Sequence, residues 1–330
     1  MERFDAVVVG GGIIGLASAW RAQQRGLRVC VLERAEPGSG ASRAAAGVLA
    51  PDPETPGFTA LARASAGLWP AFAEELGDVG YTRCGSLVLA FDGDELEEDW
   101  LDGDTCRALE PGISPECVGG LVLDSDAQVD PRRVVAALRD RVAGVRARAD
   151  VVGIAPDCVV LADGSKVNAD RVVLAAGAWT ARRLAPLLPV RPVKGQTLRL
   201  RGPLPATRII RSEDVYIVPR ASGETVLGAT VEEAGYDETP TDEATRLLLR
   251  QAICAVPAVA ELDLVEAVAG LRPGTPDDGP LIGEWDGFVV ATGHFRNGIL
   301  LAPITADAVA ALLTGDEPPS ETAPFDPNRF

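Results

Sequence analysis

Ala6-Val7-Val8-Val9-Gly10-Gly11-Gly12-Ile13-Ile14-Gly15 opens as an apolar, β-branched run, the mark of a strand buried on both faces, and then breaks into closely spaced glycines. An Ala/Leu-rich segment follows as far as Gly26 and reads as a helix with its C-terminal cap. Residues 28–32 give a second strand, which ends in Glu33. The pattern G-x-G-x-x-G is therefore set inside a strand–turn–helix–strand unit, with an acid 21 residues after Gly12. Each part has a physical task. Gly10 permits the tight turn, Gly12 lets a pyrophosphate approach the backbone, and Gly15 lets helix and strand pack closely. Free N–H groups and the positive dipole end of the helix face the phosphates, and Glu33 can accept hydrogen bonds from a ribose. The spacing predicts a dinucleotide site, against the plainer alternative of a glycine-rich turn that binds nothing.

This fingerprint serves NAD and FAD alike. The stretch after Glu33 separates them: Pro37-Gly38-Ser39-Gly40-Ala41-Ser42-Arg43-Ala44-Ala45-Ala46-Gly47-Val48 is a loop of small residues leading into an Ala-rich turn. An NAD domain normally returns at once into another βα unit, whereas this chain passes along something long and flat. A second G-x-G-x-x-G is absent, which disfavours a flavoprotein reduced by a nicotinamide bound in its own domain.

Working outward, residues 58–76 and 131–143 read as helices, and residues 151–154, 158–162 and 166–167 as a small β-meander. Residues 171–179 form a buried strand ending in Ala176-Gly177-Ala178-Trp179, and residues 92–104 an acidic solvated loop. Residues 192–201, 207–211, 214–219 and 225–230 alternate like an antiparallel sheet. A helix at 242–256, strands at 264–271 and 288–291 with residues 280–283 between them, and a helix to about residue 313 complete the chain. The Pro- and acid-rich tail from Gly315 is expected to be loosely held. A βαβ opening, a sheet-rich middle and a return to small-residue strands imply an α/β fold with a discontinuous nucleotide-binding domain.

With 330 residues, about two domains are expected. An apolar fraction of 47% and a charged fraction of 24% fit an ordinary globular protein. The net charge of −17 repels phosphate backbones, so nucleic acid is not an expected partner. All but two of the 31 basic residues are arginines; the lysines are Lys166 and Lys194. The one histidine, His294, precludes a site needing two imidazoles, and six scattered cysteines without C-x-x-C argue against zinc and disulfides. No metal is expected. No secretory signal is read ahead of the first strand, and the longest uncharged apolar stretch, residues 6–20, is too short to span a bilayer. A cytoplasmic enzyme without membrane contacts is expected.

Residues 7–15, Glu33-Arg34 and Ala41-Ser42-Arg43-Ala44-Ala45-Ala46-Gly47 resemble the FAD-binding start of the D-amino acid oxidase superfamily, and within it the glycine oxidases of thiamine biosynthesis most of all. Gly270-Leu271-Arg272-Pro273 and Gly293-His294-Phe295-Arg296-Asn297-Gly298-Ile299-Leu300 carry the same resemblance. It implies a Rossmann-like, GR2-type FAD-binding domain over residues 1–80, 131–180 and 265–330. The inserted substrate domain, on an antiparallel sheet, takes residues 81–130 and 181–264. It also implies oxidative deamination of glycine, sarcosine or small D-amino acids by O2 to glyoxylate, ammonia and hydrogen peroxide. The imine then supplies the thiazole of thiamine, and relatives are often tetramers. FAD would be non-covalent, since the Gly293–Leu300 stretch holds no cysteine. A dehydrogenase passing electrons to another acceptor, or an NAD-binding dehydrogenase or dinucleotide sensor, stays open as an alternative.

Flavin oxidation of an amino acid asks the protein mainly for positioning, above all for an arginine to hold the carboxylate. Arg272, between an apolar strand and a Pro-Gly turn, is that arginine by resemblance, with Tyr216 beside it and Arg296 as a further candidate. Gly10, Gly12, Ile13, Ile14, Gly15, Glu33 and Arg34 are expected at the cofactor, followed by Ala41, Ser42, Arg43, Ala46, Gly47 and Val48. So are Val151, Gly177 and Trp179, and the turn His294, Phe295, Arg296, Asn297, Gly298, Ile299 and Leu300, whose amides are expected to open the last helix. His294 is expected to support the site rather than act as a base. Val231 and Arg211 stand where relatives often have a methionine and a tyrosine, which leaves the preferred substrate size open.

Overall fold

The computed structural model describes residues 3–51, 58–94, 96 and 99–330. Met1, Glu2 and part of the expected acidic loop (residues 95, 97 and 98) fall outside them.

The opening strand, Arg3–Val9, lies inside an eight-stranded sheet between two parallel neighbours, Val29–Leu32 and Lys166–Leu174. Phe288–Thr292 continues the parallel run beyond Lys166–Leu174, and Val145–Arg146 beyond Val29–Leu32. Leu281–Trp285 closes one edge antiparallel, and the hairpin of Val151–Ala155 and Cys158–Leu161 pairs with the start of Lys166–Leu174. The β-branched opening follows from burial on both faces. Ala6 and Val8 point into a core with helices Ile13–Gln24, Thr59–Leu76 and Ala302–Thr314, while Val7 and Val9 point into a second core under the hairpin. Ala17 and Ala19 of the first helix and Ala306 and Ala310 of the last are fully buried; small side chains let helices approach closely.

The second sheet also has eight strands, in the order Asp263–Gly274, Arg191–Arg201, Glu224–Gly228, Tyr216–Pro219, Ile209–Arg211, Ser86–Ala90, Gly119–Leu123 and Leu101–Asp102. Only Ile209–Arg211 and Ser86–Ala90 pair parallel. Helix Asp242–Ala255, capped by Thr241, covers one face through Leu248 and Ala252 against Leu198, Leu200 and Leu227. Across the long pair Arg191–Arg201 and Asp263–Gly274, Gly195 faces Gly270 and Val193 faces Arg272.

Three expectations need correction. The chain does not return to the first sheet at residue 265. Asp263–Gly274 is an edge strand of the second sheet, and the return comes at Leu281. An apolar run reads alike in either sheet; only its partner, Arg191–Arg201, assigns it. The acidic stretch 92–104 is not all loop, because Leu101–Asp102 pairs with Gly119–Gly120 and Asp102 caps helix Gly103–Leu109 by accepting from the Thr105 amide at 2.8 Å.

The tail is not loose. It forms two short 3₁₀ turns, Ser320–Phe325 and Pro327–Arg329. Phe325 is buried edge-on against Phe58 at 5.6 Å, Asn328 donates to the Glu284 carbonyl at 2.9 Å, and Arg329 pairs with Asp277 at 2.9 Å. Proline stiffens such a segment, so little entropy opposes its docking. Phe325→Ala is expected to lower unfolding free energy by about 3 kcal/mol, within the range for a buried Phe→Ala change. Urea unfolding tests this, and an unmoved midpoint would show that the docked tail adds nothing. No described helix is long and apolar enough to cross a membrane.

Candidate active site

The glycine turn is built by close approach. A Cβ on Gly15 would lie 1.9 Å from the Gly10 carbonyl oxygen, and one on Gly10, at φ +115°, 2.3 Å from that of Ala175. These two glycines bring the first strand, the first helix and the end of Lys166–Leu174 together. Gly12 differs, because a Cβ there would meet only the Ser42 hydroxyl, at 3.4 Å, and would otherwise project into open groove. Gly12 caps the helix without a side chain, and Ser42 Oγ accepts from the Ile13 amide at 3.0 Å. Glu33, at the end of the second strand, accepts from the Gly11 amide at 2.7 Å and the Ala35 amide at 2.9 Å.

From this turn a cavity of about 570 Å³ runs to Arg272. Its walls include Gly10, Gly12, Ile13, Ile14, Glu33 and Arg34, then Ala41, Ser42, Ala46, Gly47 and Val48. Val151, Gly177 and Trp179 join them, as do His294, Phe295, Arg296, Gly298 and Ile299. Four expected residues lie off the wall. Gly15 packs against Gly10, and Arg43 turns away to pair with Glu266. Leu300 is buried in the core, its carbonyl accepting from Ser65 at 2.7 Å and Trp69 at 2.9 Å. Asn297 turns its amide back to the His294 carbonyl at 2.9 Å. The last helix starts only at Ala302, after a 3₁₀ turn at Phe295–Asn297, so the expected direct opening of that helix by the turn is not seen.

At the Glu33 end the Arg34 guanidinium lies 3.6 Å over the Trp179 ring, which also meets Tyr236 at 4.6 Å. The Tyr236 hydroxyl donates to the Ala178 carbonyl at 3.1 Å, fixing this aromatic platform to the first sheet. Burial raises the Glu238 carboxyl on the same rim, against the pull of Arg34.

At the other end, two glycines that the sequence reading passed over seat the chemistry. A Cβ on Gly195 would fall 2.2–2.3 Å from the Arg272 guanidinium, and one on Gly228 would fall 2.4 Å from the Tyr216 hydroxyl. Each large side chain thus lies flat across a neighbouring strand that lacks one. Both pairings are set by sheet register, which no local pattern reveals. Arg272 Nη1 donates to the Thr230 carbonyl at 2.9 Å, and among the described residues the guanidinium forms no ion pair. Glu232, the acid whose charge it feels, is held by the Thr230 hydroxyl at 2.6 Å and Lys194 at 3.5 Å. Burial raises the Tyr216 phenol, opposed by Arg272 and Arg296. Arg296 is exposed, over the Phe295 ring at 5.2 Å. Val231 and Arg211 both reach the cavity, and Arg211 pairs with Asp126 at 3.3 Å.

His294 is buried, with Nε2 3.0 Å from the Thr305 hydroxyl, and burial lowers its pKa to about 3. It is neutral at physiological pH and cannot gain a proton cheaply. The unfolded imidazole protonates below its usual 6.5 while the folded one does not, so stability is lost as pH falls from there towards 3, at about 1.4 kcal/mol per pH unit. Between pH 7 and 5, His294→Gln is expected to lose about 2 kcal/mol less stability than the parent chain. Equal losses in urea titrations would show that the imidazole is solvated.

The open helix terminus, the acid closing the second strand, the small-residue wall and the length of the groove fit FAD. Residues 5–312 match the family of FAD dependent oxidoreductases (DAO). The chain is 37% identical to the bifunctional protein ThiO/ThiG of a Synechocystis species, over 99% of this chain and 54% of that protein. It spans about half the length of the ThiO/ThiG relatives it matches. It is 33% identical to a glycine oxidase of Geobacillus kaustophilus, over 99% of this chain and 97% of that one. The crystal structure of glycine oxidase from Geobacillus kaustophilus superposes with a TM-score of 0.93 at 31% identity, covering 100% of both chains.

Proposed function

Since the chain belongs to the DAO family of FAD-dependent oxidoreductases, we propose that it is a glycine oxidase: glycine loses two electrons and two protons to give the imine, O2 takes them up as hydrogen peroxide, and water hydrolyses the imine to glyoxylate and ammonia. One observation carries the substrate class. The Arg272 guanidinium is largely buried, makes no ion pair among the described residues, and lines the same cavity as the glycine turn. A desolvated cation without a counter-ion is costly unless a ligand provides one, and an arginine fork matches a carboxylate.

FAD, when bound, supplies the acceptor for the two electrons of the substrate Cα–H bond. The chain's own residues do the rest. Arg272 holds the carboxylate in a fixed plane, and Tyr216 donates its phenolic proton to the same group, which its raised pKa keeps in place. This leaves the amine and Cα facing the groove. His294 is no candidate base, since it stays neutral and is engaged by Thr305. The amine must therefore bind already deprotonated, and positioning carries the rate.

The resemblance further supports a cytoplasmic homo-oligomer whose imine product feeds a thiazole-forming reaction. Sarcosine and small D-amino acids belong to the same substrate class. The test is anaerobic reduction of the FAD-loaded protein by glycine, followed by mixing with air. Bleaching at 450 nm, rapid recovery and stoichiometric peroxide are expected. Slow reoxidation would make it a dehydrogenase with another acceptor, and no bleaching would remove glycine as substrate.

A further inference from the structure

Behind the cofactor loop lies a cluster of charges that has no part in the proposed reaction. Arg199 of the second sheet and Arg220, just after its strand Tyr216–Pro219, are only 2% and 7% exposed, and both donate to Glu224 Oε1, at 2.6 and 2.8 Å. Arg220 also pairs with Asp130 at 3.0 Å, while Arg132 and Arg43 share Glu266. Replacing buried ion pairs by apolar groups is often neutral for stability. This cluster is moreover imperfectly satisfied, since among the described residues Nε of both Arg199 and Arg220 lacks a hydrogen-bond partner. Stability alone is a poor account of it.

Its second set of contacts gives a better one. Arg220 Nη2 donates to the Ala46 carbonyl at 2.8 Å. Arg132 and Arg199 approach the Arg43 carbonyl at 3.3 and 3.5 Å, Thr197 Oγ1 donates to the Ala44 carbonyl at 2.8 Å, and the Val129 amide to that of Gly47 at 2.9 Å. The carbonyls of residues 43, 46 and 47 are thus held by residues that do not line the groove, whereas Thr197, which holds the Ala44 carbonyl, does. A trans peptide is planar, with N–H opposite C=O. Fixing the Ala46 carbonyl on Arg220 therefore turns the Gly47 N–H towards the cavity that Gly47 lines. Among the described residues, neither the Ala46 nor the Gly47 amide has an acceptor.

We propose that Arg220, braced by Glu224 and Asp130, is a positioning residue for the FAD site: it sets the 46–47 peptide plane so that the Gly47 amide stands ready as a donor to the cofactor. The inference rests on the chain being FAD-dependent. Arg220 follows directly on the strand that carries Tyr216, so the hairpin that shapes the substrate end also orients the cofactor loop.

The test uses Arg220→Met combined with Asp130→Asn, which removes cation and anion together and keeps an Asn cap on helix Pro131–Arg141. The apoprotein is expected to melt close to the parent chain yet to bind FAD on the order of tenfold more weakly, because an unfixed peptide must be ordered on binding. Arg220→Lys should fall between, its single ammonium being unable to reach both acids and the carbonyl. A folded double variant with unchanged FAD affinity overturns the proposal. A measurement on the unaltered sequence guards against misfolding. In [15N]glycine-labelled apoprotein the Gly47 amide should exchange freely and become protected when FAD is added. An amide protected without FAD, or unprotected with it, also overturns the proposal. Failure of the unaltered chain to bind FAD would instead defeat the premise of FAD dependence.

Discussion

Arg272→Ala is expected to lower kcat/KM for glycine by about 30-fold to several thousand-fold, the equivalent of about 2–5 kcal/mol for removing one partner of a buried charge-assisted pair. The guanidinium hydrogen-bonds to the Thr230 carbonyl and lies against Gly195, not against Glu33 or Trp179, so FAD content and folding should be retained. Arg272→Lys should recover only part of the loss, since a point charge cannot reproduce the fork. Gly195→Ala offers an independent check. Its new methyl would overlap the guanidinium and displace it without deleting the charge, so it should move kcat/KM the same way by a smaller amount. Amines without a carboxylate should be indifferent to all three changes. Peroxide release over a substrate series measures this. Unchanged turnover of glycine in Arg272→Ala would move the carboxylate contact to Arg296, the exposed cation nearby.

Gly15→Ala is expected to yield protein without flavin. Its Cβ would stand 1.9 Å from a backbone oxygen, and no rotamer relieves that overlap. The helix must retreat from the turn, at a cost of about 1–3 kcal/mol for overpacking, and the same retreat separates helix terminus from phosphate. Gly12→Ala separates the two roles. Its Cβ has room in the ligand-free fold, so the apoprotein should melt like the parent chain and still fail to bind FAD, the methyl standing where phosphate must approach. Thermal melts with flavin fluorescence titration distinguish the pair. A yellow, fully loaded Gly15→Ala protein would show that the turn yields elsewhere.

The difference between these glycines was partly legible in the residues, because the strand–turn–helix unit is local. The Rossmann-like opening, the antiparallel middle and the small-residue loop each declare themselves within a short run of their own residues. What needed a distant partner did not. Residues 264–271 are apolar whichever sheet they join, and only their pairing with Arg191–Arg201 assigns them. Gly195 and Gly228 look like ordinary strand glycines until register lays Arg272 and Tyr216 across them. The motif already prefers Arg272 to Arg296, and the fold adds a difference no motif carries, Arg272 being largely buried and Arg296 exposed. Arg220 reads as one arginine among many, since its contact with the Ala46 carbonyl spans 174 positions.

The first sheet joins Arg3–Val9 to Lys166–Leu174 and then to Phe288–Thr292, and the first helix leans on the last. A nascent chain therefore cannot complete the groove from its glycine turn alone; both parallel partners and the final helix must have left the ribosome. Pairings this distant in sequence form slowly, because the loops must close before any contact rewards closure. Cofactor capture is then a late, post-translational event. Chains stalled before residue 288 would expose a valine-rich strand edge instead of a flavin site, a natural target for chaperones until the last strand and helix arrive.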